Sequence, residues 1–275
     1  MKRKNLVTAV LLFLAISLQA KTIKVLAIGN SFSEDAVEQY LYELCAESGD
    51  QLIIGNAYRG GQGLESHWNV VTKNEPAFSY RKIVKGHKTT KENCLLSTII
   101  RDEKWDMITF QQVSQDAGIY NTYEPYLTNL ITYAKSYAKK KKVKIGFHMT
   151  WAYPQYSTHF GFKPYDNNQQ KMYQSIISSV EKALTMHPDI KFVIPSGTAI
   201  QNARTYYFGD HLNRDGFHLD FGIGRYIAAC TWSEVITGKS CIGKNFHPEN
   251  VSEKDALAAQ HAAHAAVLAP YRVTN

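Results

Sequence analysis

The run Ile23-Lys24-Val25-Leu26-Ala27-Ile28-Gly29-Asn30-Ser31-Phe32-Ser33 sets a short β-rich apolar stretch directly before a glycine and a cluster of small polar residues. An apolar run of that length, closed by turn residues, reads as a strand buried on both faces. Ser33 is placed to cap a helix. Over Glu34–Ser48 the residues Val37, Tyr40, Leu41, Leu44 and Cys45 then fall on one face at helical spacing. A buried strand followed at once by an amphipathic helix is the unit from which parallel sheets are built.

The same alternation continues outward. Leu52–Ala57, Asp106–Gln111, Val143–His148 and Lys191–Pro195 read as further strands, and Leu95–Arg101, Pro125–Lys141 and Asn168–Met186 as helices between them. Gly222–Thr237 and Ser252–Leu268 read as two closing helices. The pattern predicts an α/β fold with a parallel sheet covered on both faces. No Pro/Gly/Ser-rich linker or internal repeat divides residues 21–275, which read as one domain. The polar stretch Lys73–Asn93, with a turn at Lys85-Gly86, reads as an insertion near the rim of the site.

The first twenty residues are a separate object. Lys2, Arg3 and Lys4 precede a nearly unbroken apolar run, Leu6–Leu18, and Ala20 offers a small residue for cleavage. This is the layout of a secretory signal peptide, and the run is short for a bilayer span. The expectation is export to the periplasm or beyond, with no stable membrane insertion once residues 1–20 are removed. Three of the seven net positive charges leave with that segment, and a remainder of +4 argues for no nucleic-acid partner. The basic run Lys135–Lys144 reads as a solvated helix end that suits the dipole. Cys45, Cys94, Cys230 and Cys241 show no CxxC spacing, so no zinc site is expected. An oxidising compartment permits disulfides among them, in any of three pairings.

In an open parallel sheet, ligands bind outside the carboxyl ends of the strands. After the first strand comes Gly29-Asn30-Ser31-Phe32-Ser33, and after the second Arg59-Gly60-Gly61-Gln62-Gly63. After the third comes Gln111-Gln112-Val113-Ser114-Gln115-Asp116, and after the fourth His148, Thr150 and Trp151. A polar loop late in the chain carries Asp215-Gly216-Phe217-His218. A serine hydroxyl needs a base beside it to act as a nucleophile. An imidazole suits that task near neutrality, and a carboxylate three residues away can fix its tautomer. Glycines let backbone N–H groups approach an oxyanion, and an amide side chain adds a donor.

Gly29-Asn30-Ser31-Phe32-Ser33 resembles the first block of the SGNH (GDSL-like) hydrolases, with Asn where many members have Asp. Asp215-x-x-His218 resembles their last block. The likeness spans Ile23 to about Ile236 and is closest to a group of secreted bacterial SGNH proteins. It implies a flavodoxin-like three-layer α/β/α sandwich with a five-stranded parallel sheet, and ester hydrolysis with no cofactor or metal. It also implies Ser31 as nucleophile, His218 as base and Asp215 as its orienting partner. The Ser31 N–H would serve the oxyanion, with Gly63 from the second block and Gly61 close behind. Aligning the third block from Asp106 puts Gln115 at the donor asparagine. Gln111, nearer the strand end, is the other candidate.

Other residues are weighed on their neighbours. Tyr58 and Trp68 flank the glycine-rich turn, and His148 and Trp151 follow a strand end. All four could line the pocket and stack on sugar rings, or pack against helices instead. His67 and His211 read as rim groups, and Asp210 as a loop brace or a competitor of Asp215. His261 and His264 lie on an Ala-rich helix without carboxylates at metal spacing. The expected function is an exported esterase acting on a small-molecule or polysaccharide ester, a carbohydrate O-acetyl group above all. A lipase or thioesterase would want a long apolar insertion. A glycan-binding protein on a decayed scaffold fits the unusual third block. A dinucleotide-binding fold would want further glycines after Gly29-Asn30-Ser31.

Overall fold

The computed structural model describes residues 21–274, so the leader reading of residues 1–20 lies outside the described residues. The strands are β1 (Thr22–Gly29), β2 (Gln51–Tyr58), β3 (Phe78–Val84), β4 (His87–Cys94), β5 (Met107–Phe110), β6 (Lys144–His148) and β7 (Ile190–Ile194). The helices are α1 (Ser31–Val37), α2 (Leu41–Glu47), α3 (Leu64–Thr72), α4 (Leu96–Asp102) and α5 (Tyr126–Tyr137). After them come α6 (Gln169–Met186), α7 (Ser196–Arg204), α8 (Ile223–Thr237) and α9 (Glu253–Leu268).

The strands form one sheet in the order β4-β3-β2-β1-β5-β6-β7. β2, β1, β5, β6 and β7 are mutually parallel. The expected α/β sandwich is the observed fold, with seven strands in place of five. The two extra strands come from the stretch read as a rim insertion. Lys73–Asn93 instead holds most of an antiparallel hairpin, β3–β4, that extends the sheet beyond β2. Its strand character is hidden in the sequence because every β4 residue before Cys94 is exposed. A solvated outer strand with Lys88 and Lys91 carries no apolar period, and such charges discourage edge pairing with other chains.

The chain leaves β1 toward β2, then crosses back to β5, β6 and β7. Right-handed crossovers therefore put α1 and α2 on one face and α3–α6 on the other. α7, α8 and α9 pack on one another, and α8 also packs on α1 and α2, completing the first layer. The interior strands are nearly continuous apolar runs, as burial on both faces requires.

The helix expected over Glu34–Ser48 is two helices. Tyr40 takes a left-handed backbone, φ 66°, and breaks it. The Tyr40 ring packs near Tyr226 and Phe246, and its hydroxyl donates to the Phe221 carbonyl, so tertiary contacts override the local period. The cap is also different. Asn30 accepts from the Phe32 N–H at 3.0 Å, which makes Ser31 the first helical residue. Ser33 instead turns inward, donating to the Asn30 carbonyl and lying 2.9 Å from Asn56. All four cysteines are buried free thiols.

Candidate active site

β1 and its two neighbours end at the topological switch point, where the chain departs in opposite directions. A cleft of about 400 Å³ opens there. Its lining includes Ser31 after β1, Tyr58, Gly60 and Gly61 after β2, Ser114 and Gln115 after β5, and His218 from the late loop. These four chain segments, far apart in sequence, thus meet at one sheet edge.

His218 is set by local chemistry. Gly216, at φ 86°, turns the chain so that Asp215 can face back along it. Oδ1 of Asp215 accepts from the His218 N–H at 2.9 Å, and Oδ2 lies 2.7 Å from His218 Nδ1. Partial burial opposes the Asp215 charge, but the bonds from the His218 ring, its N–H and the Phe217 N–H outweigh it. The carboxyl is therefore held below the usual carboxylate range and stays ionised. In the neutral ring Nδ1 carries the proton, which leaves the Nε2 lone pair as a base. That Nε2 is buried without a hydrogen-bond partner, so its bond to Ser31 is not formed in this conformation. Such bonds often tighten only when substrate is bound.

The loop is fastened to the helix that Ser31 begins. Asp35, fully buried on α1, accepts from the Leu219 N–H at 2.9 Å. It also pairs with Arg214 at 3.1 Å and Arg225 at 2.5 Å. Desolvation pushes its carboxyl above the usual range, against the pull of Arg225 and Arg214. Asp210 does not compete for His218. It braces a neighbouring stretch through Arg204 at 2.9 Å and Gln169 at 2.7 Å.

The two glutamines separate cleanly. Gln115 sits on a 3₁₀ turn, Ser114–Asp116, and lines the cleft. Tyr165 holds that turn by donating to the Gln115 carbonyl at 2.8 Å. Gln111 is buried beneath the cleft, with Nε2 on Asn30 at 2.9 Å and Oε1 on His148 at 2.9 Å. Its amide is engaged there and does not face a substrate. Gly61, at φ 67°, and Gly60 line the cleft, whereas Gly63 stands at the N-cap of α3 and does not. A Cβ on Gly63 would meet Gln112 Oε1 at 2.5 Å, so close packing explains this glycine.

Of the aromatic candidates only Tyr58 lines the cleft, under the Arg81 guanidinium at 3.5 Å. Trp68 packs edge-on against Tyr133 between α3 and α5, away from the site. Trp151 is fully buried, stacked on Phe32 at 4.2 Å, with its indole N–H on the Phe217 carbonyl. It supports the histidine loop from behind. His148 is likewise buried. His67 is buried against Phe78 and is no rim group, while His211 is exposed. His264 pairs with Glu234 at 2.6 Å.

Sequence reasoning missed His159, Phe160 and Phe217 in the cleft. His159 accepts from the Gly161 N–H at 3.0 Å and lies 4.7 Å from the Phe217 ring. Burial, with the nearby His218, lowers its basicity. Phe160 is 69% exposed, a large apolar ring at the mouth of a polar site. Phe217 occupies an open position of the Asp215-x-x-His218 block, whereas His159 and Phe160 adjoin no motif, and for them an exposed aromatic in a polar loop was the only available signal.

The family model described as "Domain of unknown function (DUF4886)" matches residues 24–266. The crystal structure of a DUF4886 family protein from Bacteroides uniformis ATCC 8492 is 50% identical, with a TM-score of 0.90 over 92% of this chain and 98% of that one. An acetyl-xylooligosaccharide esterase from Geobacillus is 12% identical, with a TM-score of 0.53 over 82% of this chain and 99% of that one. A candidate SGNH hydrolase from Slackia heliotrinireducens is 16% identical, with a TM-score of 0.51 over 78% and 98%. These two share the fold of the chain. Among curated proteins no sequence matches.

Proposed function

We propose that this chain, which belongs to the DUF4886 family, is an exported serine esterase that removes short acyl groups, O-acetyl above all, from a carbohydrate. The observation that carries the reading is the convergence of Ser31 with the Asp215–His218 pair in one cleft at the switch point. His218 takes the Ser31 proton as the hydroxyl oxygen attacks the ester carbon. The same proton passes to the departing alkoxide, and water repeats the cycle to free the acid. The Ser31 N–H, the glycine turn at Gly60–Gly61 and the Gln115 amide are the donors available to the oxyanion. The leader-like residues 1–20 support export, and the fold shared with an acetyl-xylooligosaccharide esterase supports a sugar substrate.

The deciding assay is hydrolysis by residues 21–275 of a panel from acetyl to long-acyl esters, acetylated sugars included. Turnover of acetyl esters above long-acyl ones is expected. Sugar binding with no turnover of any ester would replace the proposal by a glycan-binding protein, and preference for long chains by a lipase-like enzyme. Activity is expected to survive a strong chelator. Loss restored by zinc would overturn the metal-free scheme.

Gln115→Ala is expected to lower kcat by about 10²-fold, the usual cost of losing an oxyanion donor. Steady-state kinetics on an acetyl ester check this. A Gln115→Ala enzyme with wild-type kcat would remove that side chain from the mechanism.

A further inference from the structure

We infer that Asn30, Gln111, His148 and Ser196 form a one-way hydrogen-bond chain that positions the nucleophile, with His148 held as the Nδ1–H tautomer. This rests on the reading of Ser31 as nucleophile. The polarity of the chain follows from the backbone alone. The Phe32 N–H can only donate, and it meets Asn30 Oδ1 at 3.0 Å. The Gln62 carbonyl can only accept, and it meets Asn30 Nδ2 at 2.9 Å. These two contacts set the orientation of the Asn30 amide without ambiguity.

Each later link is then forced. Gln111 faces Asn30 Oδ1 at 2.9 Å, so it must present its Nε2. Its Oε1 is therefore the atom 2.9 Å from His148 Nδ1, which must carry the proton. His148 Nε2, left with a lone pair, accepts from the Ser196 hydroxyl at 3.0 Å. Burial lowers the His148 pKa to about 3, so the ring stays neutral in the working range. All four side chains are at most 2% exposed. None of Gln111, His148 and Ser196 lines the cleft.

The far end of the chain is the functional one. Asn30 caps the helix that begins at Ser31 and holds the carbonyl of Gln62 in the glycine turn. It thereby sets the nucleophile, the glycine turn and the end of β5 relative to one another. Asn30→Asp would keep the cap acceptor but turn a carboxylate oxygen toward the Gln62 carbonyl in a buried site. Repulsion there would displace the turn from Ser31. Gln111, His148 and Ser196 are positioning residues, acting through Asn30.

The test uses residues 21–275 and an acetyl ester, with circular dichroism confirming that each variant is folded. Asn30→Asp is expected to lower kcat by about 10²-fold and His148→Phe by about 10-fold, since displacements near 1 Å carry such costs. KM should stay within about twofold in His148→Phe, because His148 does not border substrate. Wild-type kcat in both folded variants would overturn the inference while leaving the esterase reading intact. No turnover by the wild type would fail the esterase reading instead. Nitrogen-15 NMR of the wild-type histidines tests the chain without any variant or activity. A non-titrating Nδ1–H signal for His148 from pH 5 to 9 is expected, and an Nε2–H signal would overturn the inference.

Discussion

Ser31→Ala is expected to lower kcat on an acetyl ester by about 10³-fold or more, with KM little changed. In the proposed mechanism the Ser31 hydroxyl is the group that the Asp215–His218 pair deprotonates. The alanine variant keeps the Ser31 N–H, the Asn30 cap and the whole Asp35 clamp, because none of them uses the hydroxyl. Folding and stability should therefore be unaffected, and the loss should appear in the chemical step alone. Single-turnover kinetics on the folded variant check this. A variant that retains wild-type kcat would remove Ser31 as nucleophile, and with it the proposed reaction. Reaction of the wild type with a fluorophosphonate should label Ser31, and the same treatment should leave the variant unlabelled.

Asp35→Ala is the largest expected effect on stability. The carboxylate is fully buried, and Arg225 beside it is only 3% exposed. Removing one partner of such a pair strands the other charge, at a cost of about 3–5 kcal/mol. Urea unfolding should show a lower midpoint at an unchanged slope. Activity should also fall in the fraction that remains folded, because the Leu219 N–H and Arg214 lose their anchor on α1. The two effects can be separated. Asp35→Leu with Arg225→Met replaces the pair by apolar packing and should restore much of the stability. It should not restore kcat, since the bond to the His218 loop is still missing. Full recovery of kcat in the double variant would show that Asp35 serves stability alone. The folded-state pKa of Asp35 is raised, so acid reaches this clamp early. As pH falls through that raised value the carboxyl takes up a proton in the folded state, and its hold on Arg214 weakens. Activity should therefore decline as pH falls, starting at a higher pH than an unperturbed aspartate would set.

Much of the architecture was legible in the chain itself. Strands buried on both faces are written as near-continuous apolar runs, and the five parallel strands begin and end within a few residues of where those runs do. Helix starts at Asn168 and Ser252 follow from side chains that cap their own backbone. The Asp215–His218 contact was legible for the same reason. A bond between residues three apart is a property of one turn and needs no distant partner.

What the chain could not show is which way a side chain faces when its neighbours come from elsewhere. Gln111 and Gln115 are equally plausible donors in sequence, yet one lies under the cleft and the other lines it. His148 and Trp151 follow a strand end as a site residue should, but packing from Phe32 and a bond to Ser196 turn them inward. β3–β4 is invisible to periodicity because its outer strand buries almost nothing. Asp35 looks like any helical acid until Arg214 and Arg225 arrive from 179 residues and more away. Local spacing determined the five parallel strands, the caps at Asn168 and Ser252 and the acid–histidine turn, because each is marked by an apolar run or by a partner within one turn of chain. The cleft, its true lining and the clamp behind it were decided only by tertiary structure, where long-range packing chooses each side chain's direction.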